Sequence, residues 1–164
     1  MAYFDIKLSF LKKLSLYFYM IEGSTEKSIQ PVSVDLSLGK IFKIKTERVI
    51  DIDKKMPDVQ QLSLPHDLEP GEYVLAATVE KLNQKHTKYA GIVFPRSRAY
   101  RIGLSITSGI AAPHYRGELI FGIKNISTNS IRLKKGMGLI QVVFLDVRSD
   151  ILPLKHTYQD GKVI

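Results

Sequence analysis

The chain has 164 residues, 45% of them hydrophobic and 24% charged, which suits one globular domain and excludes wholesale disorder. Lys and Arg outnumber Asp and Glu by 24 to 16, and the formal charge of +8 favours anionic partners such as nucleic acid, anionic lipid or a polyphosphate. Cysteine is absent, which excludes disulfides, thiol nucleophiles, iron–sulfur clusters and Cys-ligated zinc. No apolar run reaches the ~18 residues of a membrane span. Phe10–Met20 is interrupted by Lys12 and Lys13 and lacks a small-residue cleavage site, so it reads poorly as a signal peptide. The expectation is a soluble, cytoplasmic protein with no membrane partner.

Residues 1–28 read as a helical segment, with Leu8, Leu11, Leu14 and Phe18 at helical spacing and Glu22-Gly23-Ser24 as a stop. Residues 29–146 read as a β core. Val32, Val34, Leu36 and Leu38 alternate with Ser33, Asp35 and Ser37, and a second strand, Ile41–Lys45, follows Gly39-Lys40. Pro57–Pro70, with a third proline at position 65, is the most loop-like stretch. Pro70-Gly71 then turns the chain into a strand over Glu72–Glu80. Further strands are predicted at Ala90–Phe94, Arg101–Ile106, Glu118–Lys124, Ser130–Lys134 and Leu139–Asp146, with Lys135-Gly136 turning between the last two. Residues 147–164 form a C-terminal tail. Many short strands with little helix predict a single all-β domain, a sandwich, jelly roll or barrel, carrying a short N-terminal helix.

Common catalytic signatures are missing: there is no phosphate-binding Walker loop, no GxGxxG after a strand, no HExxH and no GxSxG. The four histidines, at 66, 86, 114 and 156, are too scattered to place a metal pair on one element. The basic clusters Lys43–Arg48 and Arg132–Lys135 alternate with apolar residues, as exposed strand faces do. Aromatic side chains are not interleaved with them, so nucleic acid is not supported. Three segments exceed what a plain β-protein requires. Ile29–Gly39 sets Asp35 among alternating apolar residues. Phe94–Leu104 gathers Arg96, Ser97, Arg98 and Arg101, whose fork donors and hydroxyl suit phosphate oxygens. Gly109–Leu119 is a glycine-bounded hairpin whose backbone can approach a flat base, with Tyr115 to stack on it or its sugar.

In this order, the segments resemble the dCTP deaminase/dUTPase superfamily, and dCTP deaminases most. Ile29-Gln30-Pro31-Val32-Ser33-Val34-Asp35-Leu36-Ser37-Leu38-Gly39 is similar to the deaminases' opening motif. Pro70-Gly71-Glu72-Tyr73-Val74-Leu75-Ala76 resembles their PGEFVLA strand, and Pro95–Leu104 the phosphate-binding motif. Gly109–Gly117 resembles the base-reading hairpin, and Ile131–Gln141 the late hairpin. The resemblance implies a distorted jelly roll, a homotrimer with nucleotide sites between subunits, and a pyrimidine deoxynucleoside triphosphate, dCTP or dUTP, accompanied by Mg2+. Carried over by position, it implies that Arg96 and Ser97 hold triphosphate oxygens and that Arg101 enters the catalytic site. Backbone groups of Ile110 and Ala111 would read the base, Tyr115 would pack beneath the sugar, and Gln141 would reach in from the late hairpin. Asp35 matches the acidic residue that orders a metal's water shell in dUTPases.

The resemblance fails at the residues that carry the reaction. The dUTPase hairpin aspartate that activates the attacking water is here Ala112, and the deaminase glutamate of the next strand falls on Gly122. His114 is the weak substitute base, two residues beyond Ala112. Arg98 stands where the phosphate motif has its second serine. The tail residues Thr157 and Gly161 stand where deaminases carry lysine and glutamine. Three functions follow as expectations: a dCTP deaminase, a dUTP diphosphatase, or a catalytically silent nucleotide-binding or regulatory relative.

Overall fold

The computed structural model describes residues 19–45, 49–51, 53, 56–84, 89–147 and 161–163. The predicted helical residues Leu8, Leu11, Leu14 and Phe18 and the tail position Thr157 lie outside these. Tyr19 and Met20 are helical and lead into the short strand β1 (Ile21–Glu22) and a 3-10 turn, Glu26–Ser28. None of the helices among the described residues is long and apolar enough to cross a membrane.

Strand β2 (Val34–Ile44) runs unbroken where the sequence predicts two strands. Gly39 accommodates a bulge instead of a turn, and the pairing register shifts between Leu38 and Lys40. This bend lets one strand serve two partners. Residues 34–37 pair with β11 (Gly138–Asp146), and residues 38–44 pair with β3 (Val59–Leu62) and β5 (Tyr73–Asn83). The proline-spaced stretch is likewise not all loop, because it holds β3 and β4 (His66–Leu68). Its prolines flank these strands and remove no ladder donor from within them.

After β6 (Tyr89–Pro95), the predicted strand start at Arg101 is the last residue of a short helix, α1 (Ser97–Arg101). The chain returns to strand only in β7 (Leu104–Thr107), then β8 (Ile110–Ala111), β9 (Arg116–Asn125) and β10 (Ile131–Leu133). The main sheet has the order β7-β9-β5-β2-β11-β6-β8, with β1 added to β5 and β3 to β2, while β4 and β10 form a separate ribbon. It curls into the predicted jelly roll around Leu36, Leu38, Ile41, Val74, Phe121, Ile123, Ile140 and Val142, all at most 2% exposed.

Buried polar groups fasten the curl. Asn125, fully buried, donates from Nδ2 to the carbonyls of Leu68 and Asn129 and accepts at Oδ1 from the Ser127 amide and hydroxyl. All four side-chain capacities of that amide are thus used, which ties the end of β9 to the β4 ribbon.

Candidate functional site

Strand parity places Ser33, Asp35 and Ser37 on one face of β2 and its approach, opposite the core residues Val34 and Leu36. The partner strand brings Gln141 directly across from Asp35, and Phe94 of β6 lies across Gln141. Gln141 Oε1 accepts a hydrogen bond from Ser33 Oγ at 2.9 Å. Arg96, just after β6, reaches back so that its Nη2 lies 3.1 Å from Asp35 Oδ2. Gln30 Nε2 donates to the same oxygen at 3.4 Å. One residue pair further along, Glu80 accepts from both the amide and the hydroxyl of Ser37, at 2.7 and 2.8 Å. The fold therefore brings three of the sequence-predicted residues, Asp35, Arg96 and Gln141, into one polar cluster. Burial pushes the Asp35 carboxyl above its ordinary value, and the Arg96 charge and the Gln30 hydrogen bond oppose it.

Residues of the hairpin meet elsewhere. Ile110, Ala111 and Tyr115 line a cavity of about 440 Å³ together with Tyr73, Val93 and Leu119. Its walls are mostly aliphatic and aromatic, and Lys162 is the one charged residue among those that line it. Tyr115 is fixed by its hydroxyl, which donates to the Glu118 carbonyl at 2.7 Å. Ile110 and Ala111 pair with Ile92 and Gly91, so β6 takes up part of the backbone assigned to base reading. His114 turns the hairpin with φ at 68°, a left-handed conformation that His adopts more readily than most side chains. Ser97 and Arg101, at the two ends of α1, are exposed and line neither this cavity nor the one beside α1 described below.

Gly122, on which the resemblance places the deaminase glutamate, is physically closed. Gly122 lies between Leu75 of β5 and Thr107 of β7. A Cβ built there would run into the Tyr73 hydroxyl and Thr107 Oγ1. Sequence reasoning missed both residues, although Tyr73 stands one diagonal step from Gly122 in the β5–β9 register. The nearest carboxylate along β9, Glu118, is bound to Lys40 by two 2.8 Å contacts.

The residues present do not make a cage for Mg2+. Among the described residues, three His, Asp or Glu side chains do not converge anywhere. Asp35, the implied water-ordering group, already engages Arg96 and Gln30 through Oδ2.

Residues 11–147 match the family model described as dCTP deaminase-like. The chain belongs to the dCTP deaminase-like family. A dUMP-forming dCTP deaminase from Dictyoglomus turgidum is 32% identical over 156 residues, covering 88% of this chain and 79% of that protein. A probable deoxyuridine 5'-triphosphate nucleotidohydrolase from Methanothermobacter thermautotrophicus is 31% identical over 124 residues, covering 74% and 82%. Among solved structures, the dCTP deaminase of Agrobacterium tumefaciens superposes with a TM-score of 0.61 at 20% identity over 81% of this chain. The dCTP deaminase-like chain spans 46% of that longer one. A phage phi11 dUTPase, reported with a structural Mg(II) ion, superposes at 0.52 with 15% identity, covering 82% of this chain and 94% of its own. Both structures share the fold.

Proposed function

We propose that this dCTP deaminase-like chain binds a pyrimidine deoxynucleoside triphosphate, dCTP or dUTP, and holds it without turnover. The reading rests above all on Gly122, whose side-chain space is filled by Tyr73 and Thr107. Both dCTP deamination and dUTP hydrolysis need a carboxylate to move the proton of the attacking water. Ala112 and Gly122 supply none, and carboxylates are absent from the cavity lining among the described residues. Among the described residues, His114 is the imidazole of the hairpin. General acid–base catalysis contributes roughly 10²–10⁴-fold, so its loss leaves little above the uncatalysed background.

In this reading Arg96 and Ser97 hold triphosphate oxygens, Gln141 supports them from β11, and Arg101 faces the nucleotide. Ile110, Ala111 and Tyr115 form the base and sugar side. Because the polar cluster and the hairpin cavity are separate within one chain, a homotrimer that sets one copy's hairpin against the next copy's α1 would complete the site. Mg2+ would arrive on the triphosphate, and the compartment would be the cytoplasm. The test is incubation of the full chain with dCTP and with dUTP, each with and without Mg2+, followed by nucleotide chromatography and thermal melting. The expected result is a melting shift of about 2.7 kcal/mol at ~100 Kd ligand, with no product. Ammonia from dCTP would make the protein a deaminase, and diphosphate from dUTP a diphosphatase; either outcome overturns the silent reading. Absence of both shift and product overturns nucleotide binding itself.

A further inference from the structure

Two hydroxyl groups meet beside Gly122. The Tyr73 hydroxyl comes from β5 and Thr107 Oγ1 from β7, and both crowd the point where a Cβ of residue 122 would stand. The β5–β9–β7 register sets this meeting, since Thr107 lies directly across from Gly122 and Tyr73 one diagonal step away. Among the described residues neither hydroxyl has a hydrogen-bond partner, and both side chains are exposed, so an incoming group can reach them. Tyr73 also lines the hairpin cavity. Only Tyr73, Tyr115 and Lys162 bring side-chain nitrogen or oxygen to its described lining. The Tyr115 hydroxyl is committed to the Glu118 carbonyl, and Lys162 supplies a charge. Tyr73 is therefore the neutral polar side chain of the cavity still available to a ligand, and Thr107 doubles it.

We propose that the Tyr73 and Thr107 hydroxyls bind the 4-substituent of the pyrimidine ring and leave the site unable to tell cytosine from uracil. This rests on the nucleotide reading, in which a cavity of about 480 Å³ beside α1, lined by Arg96, Arg98, Arg132 and Lys134, takes the phosphates. The ring then falls to the hairpin cavity. A carboxylate only accepts hydrogen bonds, so one at position 122 would favour a 4-amino group and repel a 4-oxo group. A hydroxyl turns about its C–O bond and either donates or accepts. The pair can thus donate twice to the oxo oxygen of uracil, or accept both protons of the amino group of cytosine. Neither ring leaves a polar atom unpaired, and an unpaired polar group is what makes a site reject a near-isostere.

The experiment is calorimetric titration of the full chain with dCTP, with dUTP and with the deoxynucleoside triphosphate of pyrimidin-2-one, which lacks the 4-substituent. The dissociation constants of dCTP and dUTP are expected to agree within about threefold, and the pyrimidin-2-one analogue to bind about tenfold more weakly. In the double variant Tyr73→Phe/Thr107→Val all three should converge on the weak value. General damage to the site would weaken the three ligands alike and keep the gap between them. Tyr89→Phe, outside the cavity, should change nothing. Melting curves establish that the variants fold, and the three wild-type affinities test the proposal whatever the stability of the double variant. A tenfold wild-type preference for either dCTP or dUTP overturns it. So does an analogue that binds as well as they do, or a gap that survives in the double variant; in each case nucleotide binding itself stands. Absence of binding by all three triphosphates overturns the nucleotide reading, and this inference with it.

Discussion

The cavity beside β8 and the cavity beside α1 are similar in size, about 440 and 480 Å³, but their linings are opposites. The first is aliphatic and aromatic with one lysine; the second collects four cations. They share no residue. The hairpin cavity has no Asp or Glu among its described lining residues, while the α1 side carries Arg98 where the resembling motif has a hydroxyl. It teaches that one curled sheet can keep a cationic face and an apolar face apart, because the residues of each come from different strands and turns.

The comparison can be broken first at Arg96. Arg96→Ala is expected to remove most of a nucleotide-induced shift of about 2.7 kcal/mol, whereas Tyr115→Phe, which gives up the bond to the Glu118 carbonyl and keeps the ring, should keep most of it. Melting with and without dCTP reads both, and the reverse order would mean that the hairpin side carries the affinity. The next effect concerns the closed position. Gly122→Glu should destabilise the fold by roughly 1–3 kcal/mol through overpacking and release no ammonia from dCTP. Adding Tyr73→Ala should recover part of that loss, which denaturant melts of the single and double variants would detect as non-additivity.

A smaller change is expected at Ser33→Ala, which removes the hydrogen bond to Gln141. It should lower stability by about 1 kcal/mol and loosen the polar cluster without touching the hairpin cavity. The smallest effect is a pH dependence. Burial raises the Asp35 carboxyl against the pull of Arg96 and Gln30, so the folded state holds that proton more tightly than the unfolded chain. Its contribution to stability is therefore present below about pH 3.9 and falls as pH rises through the window up to the raised value. The stability difference between the wild type and Asp35→Asn should drift against the wild type across that window and be flat above it. A drift in the opposite direction would mean that Arg96 outweighs burial.

Much of the fold was legible because period-two alternation has a direct physical consequence. Val34, Leu36 and Leu38 had to face one way, and the core they enter is the one the pattern implies. The misreadings came where local signals compete with sheet pairing. Gly39 reads as a turn, yet its neighbours continue the ladder around a bulge. The prolines at 57, 65 and 70 read as loop, yet two short strands fit between them. Arg101 reads as strand because Ile102, Leu104 and Ile106 alternate, but the donors and acceptors of residues 97–101 close a helical turn first.

The sequence by itself determined the all-β class, the family, the order of the motifs and the small residues Ala112 and Gly122, since each depends on residue identity and spacing along the chain. Only the tertiary structure decided what fills the space beside Gly122. Tyr73, Gly122 and Thr107 come from three strands, and their meeting depends on the β5–β9–β7 register. The same holds for Arg96, Arg98, Arg132 and Lys134, which span nearly forty positions along the chain but share one cavity. Charge alone could say that this protein favours anions; where four cations converge is set by strand pairing that no short stretch of sequence encodes.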